Sequence, residues 1–290
     1  MSMNPKYPIY IVSKGRWDVR LTANALEEMN QPYFMVIEEQ EFKLYADKIG
    51  ADRCLILQQK YLDEYVTCDD IGDNKSKGPG AARNFALDHA KQLGFKRHWV
   101  MDDNINGFHR LNNNLKVKVV TPAIFRAAED FVDRYENVPL AGLNYSMFAK
   151  RKDSAPPFVL NTRIYSCLLI DNNIKYRWEG RYNEDTHLSL RVLKDGDCTI
   201  QFNAFLANKV KTQTMAGGNT DAFYANEGTM NKSKMLEELH PDCSKVVWKF
   251  DRWHHFVDYN LFKRNKLKQK KDIVIERGIN NYGMKLVTLG

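Results

Sequence analysis

The 290-residue chain has no apolar run long enough to cross a bilayer, and the stretch Met1 to Pro8 lacks the apolar segment of a secretory signal. It has five cysteines, an odd number, and no Cys-x-x-Cys motif. These absences argue against a membrane protein, a secreted disulfide framework and a zinc ribbon. They predict a protein of the reducing cytoplasm.

The chain is well supplied with apolar and aromatic residues. Hydrophobic residues make up 43% of the sequence and aromatic residues 12%, which argues against disorder. Lys and Arg number 43 against 36 Asp and Glu, a formal net charge of +7. A basic surface suits a polyanionic partner, but many ordinary enzymes share this balance and it says nothing about the fold.

Short apolar runs alternate with helical segments along the first part of the chain. Strand-like runs occupy residues 7–13, 33–37, 54–57 and the region of Trp99, and the helical segments lie between them. This alternation predicts an α/β fold with a mostly parallel, doubly wound sheet flanked by helices. Further along, the pattern predicts these elements: a hairpin at 108–120, a helix from Thr121, strands at 139–143 and 164–170, a helix at 184–193 and a strand at 198–206.

The strand before Asp102 and Asp103 carries the clearest chemical signal. The strand is apolar and ends at these two carboxylates, and Asn104 follows them in the sequence. Open α/β sheets bind ligands at the carboxyl ends of their strands. Two carboxylates there can hold a divalent cation, which in turn can hold a diphosphate. The alternative is a solvated pair of acids at a strand end.

A second signal is the helix start Gly78-Pro79-Gly80-Ala81-Ala82-Arg83-Asn84. It is neither a dinucleotide fingerprint nor a P-loop, since it lacks the third glycine and the Gly-Lys-Ser/Thr ending. Its N–H groups and Arg83 are suited to bind a phosphate. Arg83 is equally suited to pair with an acid of the Asp102 cluster, and a plain loop-to-helix junction is the third interpretation.

A second acidic pair, Glu184 and Asp185, begins another predicted helix. Acids in a first helical turn are ordinary capping residues. In the functional alternative, one of them acts as a general base and accepts the proton of an acceptor hydroxyl group.

The last part of the chain is aromatic and basic. His254 and His255 are candidates either for packed core residues or for ligands of the cation. A basic run follows them. It comprises Lys263, Arg264, Lys266, Lys268, Lys270 and Lys271. Such a run is either a solvated face or, beside the aromatic residues from Trp248 to Phe262, a surface that binds nucleic acid.

Taken together, these motifs resemble the glycosyltransferase A-type (GT-A) fold over residues 5 to 210. Ser13-Lys14-Gly15-Arg16, the Gly-Pro-Gly-Ala-Ala-Arg-Asn helix start, the acidic strand end and Glu184-Asp185 occur in that family's order. Within it, the chain is most similar to the bacteriophage glycosyltransferases associated with TET-type base oxygenases, which act on 5-hydroxymethylpyrimidines in DNA.

The resemblance implies a role for each motif. Residues 1–212 would form the GT-A-like catalytic domain, with a donor half to about residue 110 and an acceptor half from 111. Residues 213–290 would form a lid, with a hinge at Gly217-Gly218, and a basic extension packed on the same domain. The implied ligands are a UDP-sugar and Mn²⁺ or Mg²⁺, and the acceptor is a flipped 5-hydroxymethylcytosine in phage DNA.

The resemblance also assigns individual residues. Nucleotide-sugar contacts would come from Ser13, Arg16, Glu38, Gly80, Arg83 and Asp102. The cation would bind Asp102 and Asp103, and Asn104 in place of a third acid makes a ligand from His254 or His255 more attractive. Asp185 would be the base of an inverting transfer, with Glu184 beside it holding the acceptor.

Three other functions are compatible with the same residues. A sugar-nucleotide nucleotidyltransferase would use the same site but attack phosphorus and release pyrophosphate. A glycosyltransferase with a protein or glycan acceptor would keep the donor and replace the DNA. A non-catalytic DNA-binding module would bind DNA and no nucleotide sugar.

Overall fold

The protein is described here by a computed structural model, which covers residues 3–70, 72, 76–112, 114–150, 156–210, 230–249 and 251–274. The predicted hinge at Gly217-Gly218, the boundary near residue 213 and Phe250 lie outside the described residues. Within the described helices, none has the length and apolar character needed to cross a membrane.

The first part of the chain alternates strands with helices, as the sequence predicts. Its elements are β1 (Ile9–Val12), α1 (Leu21–Glu28), β2 (Phe34–Ile37), α2 (Phe42–Ile49), β3 (Cys54–Ile56), α3 (Gln59–Asp63), α4 (Gly80–Gln92) and β4 (Arg97–Asp102). β4 ends at Asp102, so the predicted acidic strand end is confirmed.

The second part contains the predicted hairpin and helices and some elements without a clear sequence signal. Its elements are β5 (Ile105–Asn112), β6 (Leu115–Val119), α5 (Ala123–Val132), β7 (Leu140–Tyr145), β8 (Phe158–Leu160), β9 (Cys167–Asp171), α6 (Glu184–Lys194), β10 (Thr199–Lys209), α7 (Met230–Leu239), β11 (Ser244–Lys249) and β12 (Arg252–Val257). In this part of the chain, sequence periodicity did not predict the short edge strand β8, the helix α7 or the hairpin β11–β12.

One large sheet forms the centre of the protein. Its strand order is β3-β2-β1-β4-β9-β7-β10-β5-β6, with β8 paired to β10. The first four strands are parallel to one another, and β7 is parallel to β10. β9 runs against both neighbours, β4 and β7. The prediction of a mostly parallel sheet flanked by helices is therefore confirmed, but β9 is reversed at its middle, and β5 and β8 also run antiparallel to β10.

Helices cover both faces of this sheet, which explains why its inner strands are apolar without alternation. On one face Ile9 and Ile11 pack with residues of α1, α2 and α5. On the other face Tyr10 and Val12 pack with residues of α4 and α6. Successive residues of β1 thus serve two separate cores.

The C-terminal elements pack on α6. Leu190 and Leu193 of α6 form a small buried cluster with Leu236, Cys243 and Phe262. Both leucines lie in the carboxyl-terminal half of α6, so the C-terminal elements are anchored on that half of the helix.

Candidate active site

A large cavity opens at the carboxyl edge of the sheet. Its volume is about 1020 Å³, and its wall includes residues that follow β1, β2 and β4 as well as the starts of α4 and α6. Ten of the predicted residues line it: Ser13, Arg16, Glu38, Arg83, Asp102, Asp103, Glu184, Asp185, His254 and His255. The topology therefore brings together residues far apart in sequence, as the strand-end argument predicts.

Asp102 lies at the centre of an ion-pair network. Its Oδ1 accepts a hydrogen bond from Arg83 Nη2 at 2.7 Å. Its Oδ2 accepts from Ser166 Oγ at 2.6 Å and from Lys209 Nζ at 2.7 Å. Burial alone would raise the pKa of Asp102, but the charges of Lys209 and Arg83 outweigh it and hold that pKa well below its usual range.

Asp103 faces a different set of partners. Its Oδ1 accepts from Arg16 Nη1 at 2.5 Å, and its Oδ2 accepts from Ser13 Oγ at 2.7 Å. The carboxyl group is buried, and burial raises the pKa of Asp103 even though Arg16 opposes that shift. The loop after β1 is therefore tied to the end of β4 through Asp103.

Arg83 joins the two acidic pairs. It is 1% exposed, and its guanidinium lies 4.6 Å from the centre of the Trp178 ring. Besides Asp102 it donates to Glu184 Oε1 at 3.0 Å and, through a shorter contact, to Asp185 Oδ1. The pairing of Arg83 with the Asp102 cluster, one of the predicted alternatives, is therefore the arrangement observed.

Asp185 sits in the first turn of α6 and is 7% exposed. Burial raises the pKa of Asp185 to about 7, and the neighbouring charges of Glu184 and Asp102 act in the same direction against those of Arg83 and Lys209. A carboxyl group with a pKa close to neutral is suited to accept a proton at physiological pH. A carboxylate that only caps an α-helix does not need a raised pKa, so this pKa favours the general-base interpretation of Asp185 over simple capping.

Sequence reasoning missed the residues that complete this network. Lys209 at the end of β10 donates to Asp102 and to Ser166 Oγ at 2.6 Å, and the Tyr145 hydroxyl lies 2.6 Å from the same Ser166 oxygen. All three line the cavity. Lys209 and Tyr145 also end strands of the sheet, so applying the strand-end argument to β7 and β10 would have nominated them.

The residues predicted to bind a divalent cation are not gathered into one ligand set. Among the described residues there are two groups of three potential ligands, and neither includes Asp102, Asp103, His254 or His255. His254 Nε2 accepts from Arg252 Nε at 3.1 Å. Because both carboxylate oxygens of Asp102 and both of Asp103 already accept hydrogen bonds, these side chains as arranged do not form an open cation site. The ion itself stays a prediction.

Two predicted nucleotide contacts lie at the margin of the site. Glu38 lines the cavity and pairs with Lys14 Nζ at 2.6 Å. Gly80 is not among the described residues that line it. A side chain at Gly80 would meet the Tyr65 hydroxyl at 2.0 Å, so this glycine allows α4 to pack against Tyr65. Gly78, at φ +82°, lies on the cavity wall.

The basic run lies away from the cavity. Five of its six charged side chains are exposed, whereas Lys270 is half-buried and donates through Nζ to Asp133 O at 2.8 Å. Asn265, within the run, donates to Leu193 O near the carboxyl end of α6. Since Asp185 lies eight residues earlier, the run is about 12 Å along the helix from the catalytic candidate.

The comparison with protein families agrees with this geometry. The model of the family described as TET-Associated Glycosyltransferase matches residues 7–218, which include every element from β1 to β10. No curated protein matches the chain. The matched region contains the carboxylates at the end of β4 and the acidic start of α6. The chain therefore belongs to the TET-associated glycosyltransferase family.

Proposed function

We propose that the protein transfers a sugar from a UDP-sugar to the hydroxymethyl group of 5-hydroxymethylcytosine in phage DNA, with inversion at the anomeric carbon. The family match supports sugar transfer to a modified DNA base over nucleotidyl transfer. The observation that carries the mechanism is Asp185, a buried carboxyl group on the wall of the cavity whose pKa is about 7.

The cavity suits a nucleotide-sugar donor. Its volume of about 1020 Å³ is at the upper end for small-molecule sites, as a nucleotide joined to a sugar requires. Ser13, Arg16 and Glu38 line the part formed by the loops after β1 and β2, and we assign the nucleotide to that part. The diphosphate then lies towards Asp102, at the end of β4.

Three protein cations face the place assigned to the diphosphate. Arg16, Arg83 and Lys209 all line the cavity. Positive groups aimed at the charge that develops on a leaving group stabilise the transition state. We propose that these side chains counter the charge of the departing UDP. Mn²⁺ or Mg²⁺ at Asp102 and Asp103 is the alternative source of this charge, and it would have to compete with Lys209 for Asp102.

Asp185 is proposed as the general base. The acceptor hydroxyl oxygen forms a bond to the anomeric carbon, while the bond from that carbon to the diphosphate oxygen breaks and its electron pair leaves with UDP. The hydroxyl proton passes to Asp185. Arg83 donates to Oδ1 of Asp185, and no described residue donates to its Oδ2, which we assign to the acceptor hydroxyl. Glu184 also pairs with Arg83 and holds that side chain in place.

The hairpin β11–β12 is proposed to receive the DNA. Its residues Arg252, His254, His255 and Phe256 line the cavity. On the same hairpin Trp248 is 57% exposed, and its ring lies 5.0 Å from that of Trp253. Exposed rings beside lysines are typical of surfaces that stack bases and bind phosphates. The base must leave the duplex to reach Asp185, and these rings are placed to replace its stacking partners. We propose that the basic run contacts DNA phosphates farther from the cavity.

Replacing Asp185 with Asn tests the proposal. The change should lower kcat by about 10²- to 10⁴-fold, the usual contribution of a general base, and should leave UDP-sugar affinity within a few-fold of wild type. Asp195→Asn, in the residue that follows α6, is the matched control and should retain full activity. Full transfer by the Asp185→Asn variant would exclude Asp185 as the base.

A further inference from the structure

A second cluster of reactive side chains lies behind α6, outside the cavity. One ligand atom each from Cys68, Glu179 and His187 lies within 4.8 Å of the others. None of these three is among the described residues that line the cavity. Neither the donor nor the acceptor assigned above uses this cluster.

His187 presents an unsatisfied nitrogen to the cluster. The residue is 6% exposed, and its Nδ1 lies 2.8 Å from His240 Nε2. Its other nitrogen, Nε2, is buried without a hydrogen-bond partner. The nearest carboxylate oxygen, Glu179 Oε2, is 3.6 Å away, beyond hydrogen-bond distance. A buried polar atom without a partner is costly, so something that binds this nitrogen would stabilise the fold.

The backbone around the cluster is held in register. Gly180 N donates to Val66 O at 2.9 Å, and Arg181 N donates to Thr67 O at 2.8 Å. These bonds fix the segment carrying Cys68 beside the segment carrying Glu179. The third ligand comes from the rigid helix α6. The cluster is thus formed by three segments that the fold already brings together.

We propose that Cys68, Glu179 and His187 bind a zinc ion. Thiolate, imidazole and carboxylate are the ligands of protein zinc sites, and a thiolate argues against Mg²⁺. Bond lengths of about 2.0–2.1 Å to nitrogen and oxygen place two tetrahedral ligands about 3.3 Å apart, close to the 3.6 Å found between Nε2 and Oε2. The two negative ligands balance the charge of the ion, and water takes the fourth position.

The surroundings supply the outer hydrogen bonds that zinc ligands require. A neutral His187 that binds zinc through Nε2 carries its proton on Nδ1 and donates it to His240 Nε2. Arg191 Nη1 lies 2.7 Å from Glu179 Oε2 and holds that carboxylate.

The shared hydrogen bond also limits the site to one ion. A second group, His240, Asp242 and Cys243, would bind metal through His240 Nδ1, which is likewise buried without a hydrogen-bond partner. When His187 donates to His240 Nε2, a neutral His240 carries its own proton on Nδ1 and cannot bind metal there. Asp242 is exposed and pairs with Lys194 Nζ at 2.6 Å. We therefore assign the ion to the Cys68 side.

Zinc there would position the catalytic helix. His187 follows Asp185 by two residues, which places it about 200° around the axis of α6. The ion would tie the first turn of that helix to the segments of Cys68 and Glu179. It acts on positioning and takes no part in the transfer itself.

The test is the metal content of the full-length protein expressed with added zinc, measured by mass spectrometry. We expect one zinc ion per chain in the wild type and in Cys243→Ser, and at least a tenfold loss in Cys68→Ser. Cobalt in place of zinc should give a thiolate-to-metal absorption band that persists in Cys243→Ser. Because the cobalt band is compared between the wild type and Cys243→Ser, this measurement tests the site even if the Cys68→Ser variant does not fold.

Three results would overturn the proposal. The first is a wild-type protein without zinc and without the cobalt band. The second is a cobalt band that disappears in Cys243→Ser, which would place the ion on His240, Asp242 and Cys243. The third is a Cys68→Ser variant that keeps its zinc.

Discussion

The raised pKa of Asp185 predicts a specific dependence of activity on pH. Burial raises this pKa from 3.8 to about 7, so the carboxyl group holds its proton to a higher pH than usual and loses the basic form as pH falls through 7. About half of the molecules carry the base at pH 7 and about one tenth at pH 6. We expect kcat/KM to fall about tenfold per pH unit on the acid side of pH 7.

A single substitution moves this midpoint in a known direction. Glu184 lies beside Asp185, and its charge is one cause of the raised pKa. Glu184→Gln removes that charge and leaves Arg83 with one partner fewer, and both effects favour the ionised form of Asp185. The acid limb of the profile should move to lower pH.

Initial rates of sugar transfer to hydroxymethylated DNA, followed across pH at low substrate concentration, measure this midpoint. Asp195→Asn should leave it unchanged, because that carboxylate is exposed beyond the far end of α6. A wild-type rate that stays constant from about pH 8 to pH 5.5, or a Glu184→Gln midpoint that moves upward, would refute the assignment of Asp185 as the base.

Three further outcomes follow from the site. Lys209→Met removes a cation that contacts Asp102, and it should lower kcat by about 10²- to 10³-fold in steady-state assays; an unchanged kcat would remove Lys209 from the mechanism. Replacing both Trp248 and Trp253 with Ala should weaken DNA binding about tenfold or more in a filter assay, at unchanged kcat with a free hydroxymethylated nucleoside; equal losses with both acceptors would place these rings elsewhere than on the DNA. In the zinc-loaded protein, transfer should persist in buffer stripped of Mn²⁺ and Mg²⁺, and activity that appears only on adding Mn²⁺ would favour the cation at Asp102 and Asp103.

Local sequence patterns account for most of the fold. The runs at residues 33–37 and 54–57 and the helix from residue 81 lie within two residues of β2, β3 and α4. Their apolar spacing follows from burial against one sheet, so the pattern is readable without the structure. β9 is different, because a continuous apolar strand does not reveal its direction.

The reversal of β9 decides much of the site. Because β9 is antiparallel to β4, its amino end lies beside the carboxyl end of β4, and Ser166 reaches Asp102. Lys209 reaches the same carboxylate because β10 lies parallel to β7, with β9 and β7 between it and β4. Such contacts depend on strand order, which no local pattern encodes. The carboxylates were predictable from the sequence and their partners were not.

For the basic run, the sequence signal is clear, but the position relative to the active site could not be predicted. Its charge is evident in the sequence, but its distance from Asp185 depends on how Asn265 docks at the end of α6. The exposed rings of β11–β12, nearer to the cavity, have a weaker sequence signal and a more suitable position. Charge density alone therefore does not locate the surface that meets the acceptor.

The most direct measurement is nucleoside mass spectrometry of duplex DNA containing 5-hydroxymethylcytosine, after incubation with the protein and a panel of UDP-sugars. We expect the hydroxymethylated nucleoside to gain the mass of one hexose or N-acetylhexosamine, with release of an equal amount of UDP. An unmodified nucleoside with every donor, or release of pyrophosphate in place of UDP, would contradict the proposed transfer.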